Sequence, residues 1–566
     1  MIPRGIAIWA FACVLAACAK VAAPPSRQAT LVIAVAQEPA SLNPLYLQGS
    51  IGYAISELGY SYLTNYDSLG NIVPDVAATV PSRVNGGISI DGKRVVYHLR
   101  RGVSWQDGAP LNSHDVAFTY SAIMNASNAV PSRYGYDRVA SVEAHDPYTV
   151  VVKLKRPYSP IIAYFFGGDS NYPILPAHLL AHYASLDRAA YNAAPIGSGP
   201  YRFARWVRGD RLEMTANPRY YAGRPAIARI SLRFVHDSST TMNQLLTNEV
   251  DATFYADAAR IIALRAIPHH RTLVTRGPYF YALTFNVTDP LAQNATVRRA
   301  FGLAIDQHAL VGKVAHGVYD ADTGMRGLFT WAFDPHAGRL PYDPQRAQAL
   351  LARDGWITGA DGIRVKNGRR LQLQLAFVAG SGIAAGFASL IVEYERAVGI
   401  DVTTKRYGIE EFVASGGPLS QGRFQVAMVS YQSTYDPDAS WVLSCDQRAP
   451  EGFNFARYCN PAVDHELQRG VYLFDRAARR RPYSFVQRQL LTDMHTIFCA
   501  SAARSMLSHR ISKDTSIHCS HRTTRWRAGA CDTVPKAAVR QANRGATAAA
   551  PRDDRVATTF YRQRVE

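Results

Sequence analysis

The chain has 566 residues, of which 48% are hydrophobic and 19% are charged. This is enough apolar material for a large protein of two or three lobes. The formal net charge of +18 is concentrated near the end, because residues 499–566 hold 13 Lys and Arg against 5 Asp and Glu. The remaining residues carry only a modest positive surplus without an aromatic-rich basic motif, which argues against nucleic-acid binding.

The first predicted element is an export signal. Arg4 precedes the apolar stretch IAIWAFACVLAA, which is too short to span a bilayer. The sequence Leu-Ala-Ala-Cys that ends at Cys18 resembles the bacterial lipobox, in which the cysteine takes lipid chains and becomes the mature amino terminus. We therefore predict a signal peptide at residues 1–17, lipidation of Cys18 and a lipid-anchored tether at residues 18–30. An ordinary signal peptide with incidental cysteines is the alternative.

The body of the chain begins at residue 31 with LVIAVAQEPASLNPLY, a predicted strand followed by a proline-punctuated turn. Further on, VVYHL is typical of a strand and Asp107-Gly108 of a turn. Ser113 is the expected N-cap of a helix that carries His114 and Asp115. This alternation of strands and helices indicates an α/β protein.

Several longer motifs then follow in order. They are PIGSGPYRFARW, ANPRYYAGRPAI, NEVDATF, YALTFNVTDP, VRRAFGLAIDQHALV, YDPQRAQALLARDGW and AVGIDV. With the stretch around His114, they resemble the family 5 extracellular solute-binding proteins, which include the oligopeptide-, dipeptide- and nickel-binding components of ABC importers. Ser198 stands where the family's Gly-Thr-Gly-Pro-Tyr signature has threonine, and Asn248 replaces its usual glycine.

The resemblance implies an α/β fold of two lobes, the type II periplasmic-binding-protein fold, with an extra inserted subdomain and a hinge between the lobes. The solute is then held between the lobes, and hinge closure captures it. The implied domains are residues 31–75 with 195–282 for lobe I, 76–194 for the inserted subdomain of lobe I, and 283–498 for lobe II.

The same resemblance implies partners and location. We expect a peptide or peptide-like solute, ABC permease subunits with a separate ATPase, and a membrane reached through the lipid anchor. The protein is expected to be a monomer in the cell envelope, on the periplasmic or extracellular face. No cofactor, bound metal, nucleic acid or covalent chemistry is expected.

A departure from the family pattern bears on the solute. In peptide-binding relatives, an aspartate three residues before an acidic-Pro pair holds the α-ammonium of the ligand. Counting back from Asp436-Pro437 leads here to Ser433, whose hydroxyl cannot neutralise an ammonium group. Free-amino peptides therefore lose support. Asp436 and Asp438 could reach the cleft, but a structural turn is the favoured interpretation.

Aromatic side chains are the other candidate ligand contacts, because an amphipathic solute needs apolar walls with polar edges. Core packing is the competing interpretation for each of them. The candidate ligand-binding set is Ser433, Tyr431, Tyr435, Asp436, Asp438, Tyr134, Tyr136 and Trp105.

Two motifs support other functions. His269-His270 would suit nickel, but no second ligand cluster with recognisable spacing accompanies the pair. Gly380, Gly382 and Gly386 lie between a predicted strand and helix, as in a dinucleotide-binding oxidoreductase. The next strand offers Lys405 and Arg406 where a ribose-binding acid belongs. A sugar-binding protein and a sensor with the same fold remain open as alternatives.

The cysteines near the end of the body form one expected structural pair. Cys445 and Cys459 would close a loop of about 15 residues, and a disulfide there would stabilise the fold by about 3 kcal/mol in the chain-entropy model. Two buried free thiols are the alternative.

Residues 499–566 lack apolar periodicity and are rich in Arg, Ala, Ser and Thr, which predicts a disordered basic tail. Family relatives instead continue with a strand-rich segment that returns to the first lobe. Permitted codons read one base earlier from Phe498 give a sequence similar to that ending. Our hypothesis is therefore a single-base shift near codon 498, which makes the tail aberrant and Cys499, Cys519 and Cys531 accidental.

Overall fold

The structure is a computed structural model that describes residues 30–509, apart from 48, 68, 69, 171, 255–257, 268, 269, 322, 323, 415 and 433. The predicted signal peptide, Cys18 and most of the tether therefore lie outside the described residues, as does the tail beyond residue 509. Within the described ranges, no helix is long and apolar enough to cross a membrane.

The strands follow one another in chain order. They are β1 Thr30–Val35, β2 Thr64–Tyr66, β3 Ile72–Pro74, β4 Arg94–His98, β5 Val139–Asp146, β6 Thr149–Leu154, β7 Tyr201–Val207, β8 Arg211–Ala216, β9 Arg229–Phe234, β10 Ala252–Phe254, β11 His270–Phe285, β12 Ile357–Thr358, β13 Arg364–Lys366, β14 Arg369–Arg370, β15 Gln372–Val378, β16 Asp401–Tyr407, β17 Val426–Gln432 and β18 Thr496–His509.

The helices lie between these strands. They are α1 Gly49–Gly59, α2 Ser113–Met124, α3 Ile161–Tyr164, α4 Ala177–Leu180, α5 Ser238–Leu246, α6 Ala258–Arg265, α7 Ala295–Ala304, α8 Gln307–Ala315, α9 Gly324–Phe329, α10 Pro344–Arg353, α11 Gly382–Ala397, α12 Ile409–Val413, α13 Pro418–Gln421, α14 Ser440–Leu443, α15 Pro461–Tyr472 and α16 Arg476–Asp493.

One ten-stranded sheet runs through both expected lobes in the order β16-β15-β17-β11-β18-β10-β1-β9-β8-β7. Parallel pairs flank its centre, since β1 pairs with β9 and β10, and β15 pairs with β16 and β17. Helices and strands alternate along much of the chain, so the expected α/β class is confirmed. Strands from the expected lobe I fill one end of the sheet, and strands from the expected lobe II fill the other.

Two long antiparallel strands, β11 and β18, connect the two ends of this sheet. The carboxyl half of β11 pairs with β17, from Tyr279 opposite Gln432 to Phe285 opposite Val426. The carboxyl half of β18 pairs with β10. The β11–β18 register shifts between Arg276 and Tyr279, where Pro278 has no N–H to donate. The expected boundary between residues 282 and 283 thus falls inside β11, a few residues beyond this break.

Strand β18 corrects the expected start of the tail at residue 499. The strand continues to His509 and pairs with β11 from His270 to Thr284. Cys499 and Ala500 are completely buried. The run of small residues after Phe498 carries no visible strand pattern, and its strand conformation depends on backbone partners supplied by β11 and β10. The single-base shift near codon 498 remains a hypothesis.

The inserted subdomain contains the antiparallel sheet β4-β6-β5 with α2 nearby. The expected cap at Ser113 is wrong by one position, because the Asn112 side chain accepts the backbone N–H of His114. Asp115 in turn accepts the Asn112 N–H and completes a capping box. The capping box therefore fixes where the chain enters α2.

The Gly380 loop lies between β15 and α11 and acts as a local connection. Ser381 caps α11 through the backbone N–H of Ala384, and the Cα of Gly386 packs so closely on Val314 that a Cβ would lie 2.7 Å from it. Helix packing therefore accounts for Gly386. The expected disulfide between Cys445 and Cys459 is also present.

The position of β18 generates a prediction about two shortened chains. A chain that ends at residue 498 lacks the pairing of β18 with β10 and with most of β11, so the edges of both strands are exposed. We expect its melting temperature to lie at least about 5 °C below that of a chain ending at residue 509, with more aggregation. Differential scanning calorimetry and light scattering would measure this. Equal melting of the two chains would contradict a structural role for residues 499–509.

Candidate functional site

A short stretch that follows β17, residues 434–438, connects lobe II to the inserted subdomain, and we call it the crossover segment. The carboxylate of Asp169 accepts the backbone N–H groups of Tyr435 and Asp436, each at 3.0 Å. The Tyr164 hydroxyl donates to Thr434 Oγ1 at 3.2 Å. Three of the candidate residues, Tyr435, Asp436 and Asp438, lie on this segment. Its conformation is thus fixed by partners from a distant part of the chain.

Asp438 is buried and holds two elements together. Its Oδ2 atom accepts the hydroxyls of Tyr134 at 2.8 Å and Tyr158 at 3.1 Å, and its Oδ1 atom accepts the N–H of Ser440. Burial and the neighbouring Asp438 carboxylate raise the pKa of Tyr134 well above its ordinary value. Both tyrosines therefore stay protonated and act as donors.

Asp436 forms a buried, two-pronged ion pair with Arg479 of α16. Both nitrogen–oxygen distances are 2.7 Å, and the two residues are only 7% and 4% exposed. Burial alone would lower the pKa of the Arg479 guanidinium, but the Asp436 carboxylate outweighs this and holds the pKa above its ordinary value. Arg479 also donates to the Gly470 carbonyl and the Tyr483 hydroxyl. These bonds compensate both buried charges, so the role of Asp436 is structural.

Beside the crossover segment lies a cavity of about 490 Å³, a volume within the usual range of small-molecule pockets. One wall comes from the first part of the chain and the inserted subdomain, and includes Tyr66, Arg83 and Ser159. The opposite wall comes from lobe II. Its lining residues are Trp331, Tyr435, Asp436, Phe474, Asp475, Arg476 and Arg479. The cavity thus lies between parts that the sequence assigns to different lobes.

Guanidinium groups pack on aromatic rings around this cavity. The guanidinium of Arg476 lies 4.5 Å from the centre of the Trp331 ring, and that of Arg83 lies 5.1 Å from the Phe474 ring. Both distances are within the range of cation–π attraction. Partial burial lowers the pKa of Arg476. Tyr435 packs on Tyr66 with ring centres 4.5 Å apart.

Tyr431 lies in a separate aromatic cluster of lobe II. Its ring stacks on Phe280 at 5.2 Å and meets Trp441 edge-on at 5.9 Å, and only 9% of the residue is exposed. The indole nitrogen of Trp441 is buried and has no hydrogen-bond partner among the described residues. The structure thus assigns Tyr431 mainly to the core.

Trp105 and Tyr136 lie in the core of the inserted subdomain and do not line the cavity. The Trp105 indole donates to Asp115 at 3.2 Å, and the Tyr136 hydroxyl accepts the Phe166 N–H at 3.1 Å. Their expected place in the ligand site is therefore wrong. An aromatic residue beside a turn signal has the same local pattern whether it faces a cleft or a core.

Two predicted sites include residues that the structure does not describe. Ser433 lies outside the described residues, as does His269. Within the described ranges, no group of three His, Cys, Asp or Glu residues could hold a metal ion.

Several residues of this site were missed in the sequence. Asp169, Trp331, Arg476 and Arg479 belong to no motif, and they come together only because the crossover segment joins lobe II to the inserted subdomain. The Asp-Pro-Asp turn was the one available signal, since it predicted a fixed loop.

Comparisons with known proteins agree with this architecture. The model of a family described as "Bacterial extracellular solute-binding proteins, family 5 Middle" matches residues 71–449. Protein XP55 of Streptomyces lividans is 28% identical over 475 residues, which covers 82% of each chain. Oligopeptide-binding protein AppA of Bacillus subtilis is 26% identical and covers 85% of this chain and 87% of its own. The structure of NikZ from Campylobacter jejuni in complex with Ni(L-His) has a TM-score of 0.75 at 25% identity, and covers 88% of this chain and 96% of its own.

The buried pair gives a testable prediction. Asp436→Asn or Arg479→Met leaves one buried partner uncompensated, so each should lower the free energy of unfolding by about 3–5 kcal/mol. The double variant should lose clearly less than the sum. Urea unfolding followed by tryptophan fluorescence would measure the cycle.

Arg469→Met is the control for this cycle. Arg469 forms an exposed ion pair with Glu466, whose loss should cost less than about 1 kcal/mol. An Asp436→Asn variant no less stable than this control would rule out a structural role for the pair.

Proposed function

Because the chain belongs to the bacterial extracellular solute-binding proteins of family 5, we propose that it captures a peptide or peptide-like solute for an ABC importer. The observation that carries the proposal is the cavity of about 490 Å³ whose walls come from lobe II on one side and from the inserted subdomain on the other. The relatives named as oligopeptide-binding or peptide-transport proteins support a peptide-like solute.

Capture of the solute would depend on bending of the strands that connect the two lobes. We place the lobes at residues 31–75 with 195–282 and from 283 into β18, with the inserted subdomain at 76–194. The strands β11 and β18 are the described connection within the main sheet. The register break beside Pro278 is a natural point for bending, because a proline cannot restore the ladder there. Closure about this line would bring lobe II onto the solute.

Ser433 and the acids of the crossover segment bear on the solute's charge. Asp436 is neutralised by Arg479, and Asp438 accepts two tyrosine hydroxyls and the backbone N–H of Ser440. If Ser433 replaces the ammonium-binding aspartate, these acids do not take over its role. A solute with a blocked or absent α-amino group therefore fits better than a free-amino peptide.

We also propose where the protein acts and which proteins it works with. The protein would be anchored by lipid at Cys18 in the cell envelope and would meet its permease as a monomer. It would perform no covalent chemistry, so the energy for transport would come from a separate ATPase. The family membership supports this role, since its members are named as extracellular binders.

A nickel chelate is a second candidate solute. The structure of NikZ with Ni(L-His), which this chain resembles at 25% identity, favours it. In this case too the solute would enter as a complex between the lobes, because the described residues offer no protein cluster of metal ligands.

Thermal-shift binding to the full-length chain, purified in mild detergent, tests the function. A solute at about 100 times its Kd stabilises the native state by about 2.7 kcal/mol. We expect amino-blocked peptides to raise the melting temperature more than free-amino peptides do. Stabilisation by Ni(L-His) or by sugars alone would overturn the peptide assignment.

A further inference from the structure

Arg476 is the first residue of α16 and forms part of the cavity wall. Its guanidinium packs on Trp331, and partial burial lowers its pKa. Removing a cation from water is unfavourable unless an anion or a polarisable surface compensates it. The Trp331 ring supplies only part of that compensation through a cation–π contact.

Neighbouring carboxylates do not supply the rest. Asp436 is engaged by Arg479, and Asp475 caps α16 by accepting the Ala478 N–H at 2.7 Å. Among residues that the structure describes, neither Arg476 nor Arg83 has a carboxylate oxygen within the 4.0 Å of an ion pair. Two guanidinium groups thus line one cavity without a carboxylate of the described residues at ion-pair distance from either of them.

Arg83 faces the same cavity from the inserted subdomain. It donates to the Ile90 carbonyl at 3.0 Å and packs against Phe474, two residues before Arg476. Exposed arginines commonly need no partner. These two differ because each is held over an aromatic ring on the wall of a cavity between lobes, which orients the guanidinium before any ligand arrives.

We propose that Arg83 and Arg476 form an anion-binding subsite that takes a carboxylate of the solute, while Trp331 and Phe474 contact its apolar part. The inference rests on the proposed function and deepens it by naming the solute class. A guanidinium presents paired donors that match a carboxylate. Because Ser433 stands in the sequence where the resemblance implies an ammonium-binding aspartate, the favoured solute is an anionic, amino-blocked peptide-like molecule.

Isothermal titration of the full-length protein with matched probes tests the subsite. The probes are acetyl-Ala-Glu-Ala-amide, its Gln counterpart, acetyl-Ala-Ala-Ala with a free carboxyl terminus, and inorganic phosphate. We expect at least one carboxylate probe to bind about 10-fold or more tightly than the neutral Gln probe. Arg476→Gln and Arg83→Gln should each reduce the ratio between the affinities for the carboxylate probe and the neutral probe.

Arg480→Gln is the matched control, because Arg480 lies on the same helix, carries the same charge and does not line the cavity. The Arg480→Gln variant should retain the preference for the carboxylate probe over the neutral probe. A second readout is the melting temperature without ligand, which should fall much less in Arg476→Gln than in Arg479→Met, since Arg476 loses only its contact with Trp331 and no protein carboxylate. A fall as large as that of Arg479→Met would indicate a structural arginine and overturn the subsite.

The remaining outcomes separate the two proposals. Equal affinity for charged and neutral peptides, or a preference that survives in Arg476→Gln, overturns the anion subsite and leaves solute capture in place. Tight binding of phosphate but of neither carboxylate probe overturns the carboxylate assignment. Binding of none of the peptide probes contradicts peptide capture, and the carboxylate subsite falls with it.

Discussion

The pairing of β11 with β18 is the constraint on which the rest of the structure depends. These strands of 16 and 14 residues form the centre of a sheet whose two ends belong to different lobes. Without this ladder, β11 and β18 would each expose an edge, which is costly inside a folded protein. Because the lobes share one sheet, they cannot separate freely. Their relative motion must be a bend of two strands, and the register break beside Pro278 is where the ladder offers least resistance.

The crossover segment complements this connection on the side of the cavity. Its acids face inward to Arg479, Tyr134 and Tyr158, and its backbone N–H groups are held by Asp169. Hydrogen bonds to charged groups such as these carboxylates contribute about 1.5–3 kcal/mol each. They therefore fix the wall of the cavity when the lobes are together.

The sequence was informative where a local pattern is sufficient. Ordered motifs identified the family, and Cys445 and Cys459 could be paired because both fall in the body of an exported chain. Asp-Pro-Asp predicted a turn, and the turn is present. The sequence was misleading where burial depends on distant residues: Trp105 and Tyr136 are core side chains, and residues after Phe498 form a strand only because β11 and β10 offer backbone partners. No local sequence pattern predicted that Arg476 packs on Trp331, since 145 positions separate the two residues in the chain.

Charge balance links the crossover segment to the choice of solute. Three arginines, Arg83, Arg476 and Arg479, and two acids, Asp436 and Asp475, line the cavity. Both oxygens of Asp436 are bonded to Arg479, and Asp475 accepts the Ala478 N–H at the start of α16. Structural use of both acids thus leaves Arg83 and Arg476 without a carboxylate at ion-pair distance among the described residues. The lining therefore carries one more positive than negative group, which favours an anionic solute over a cationic one.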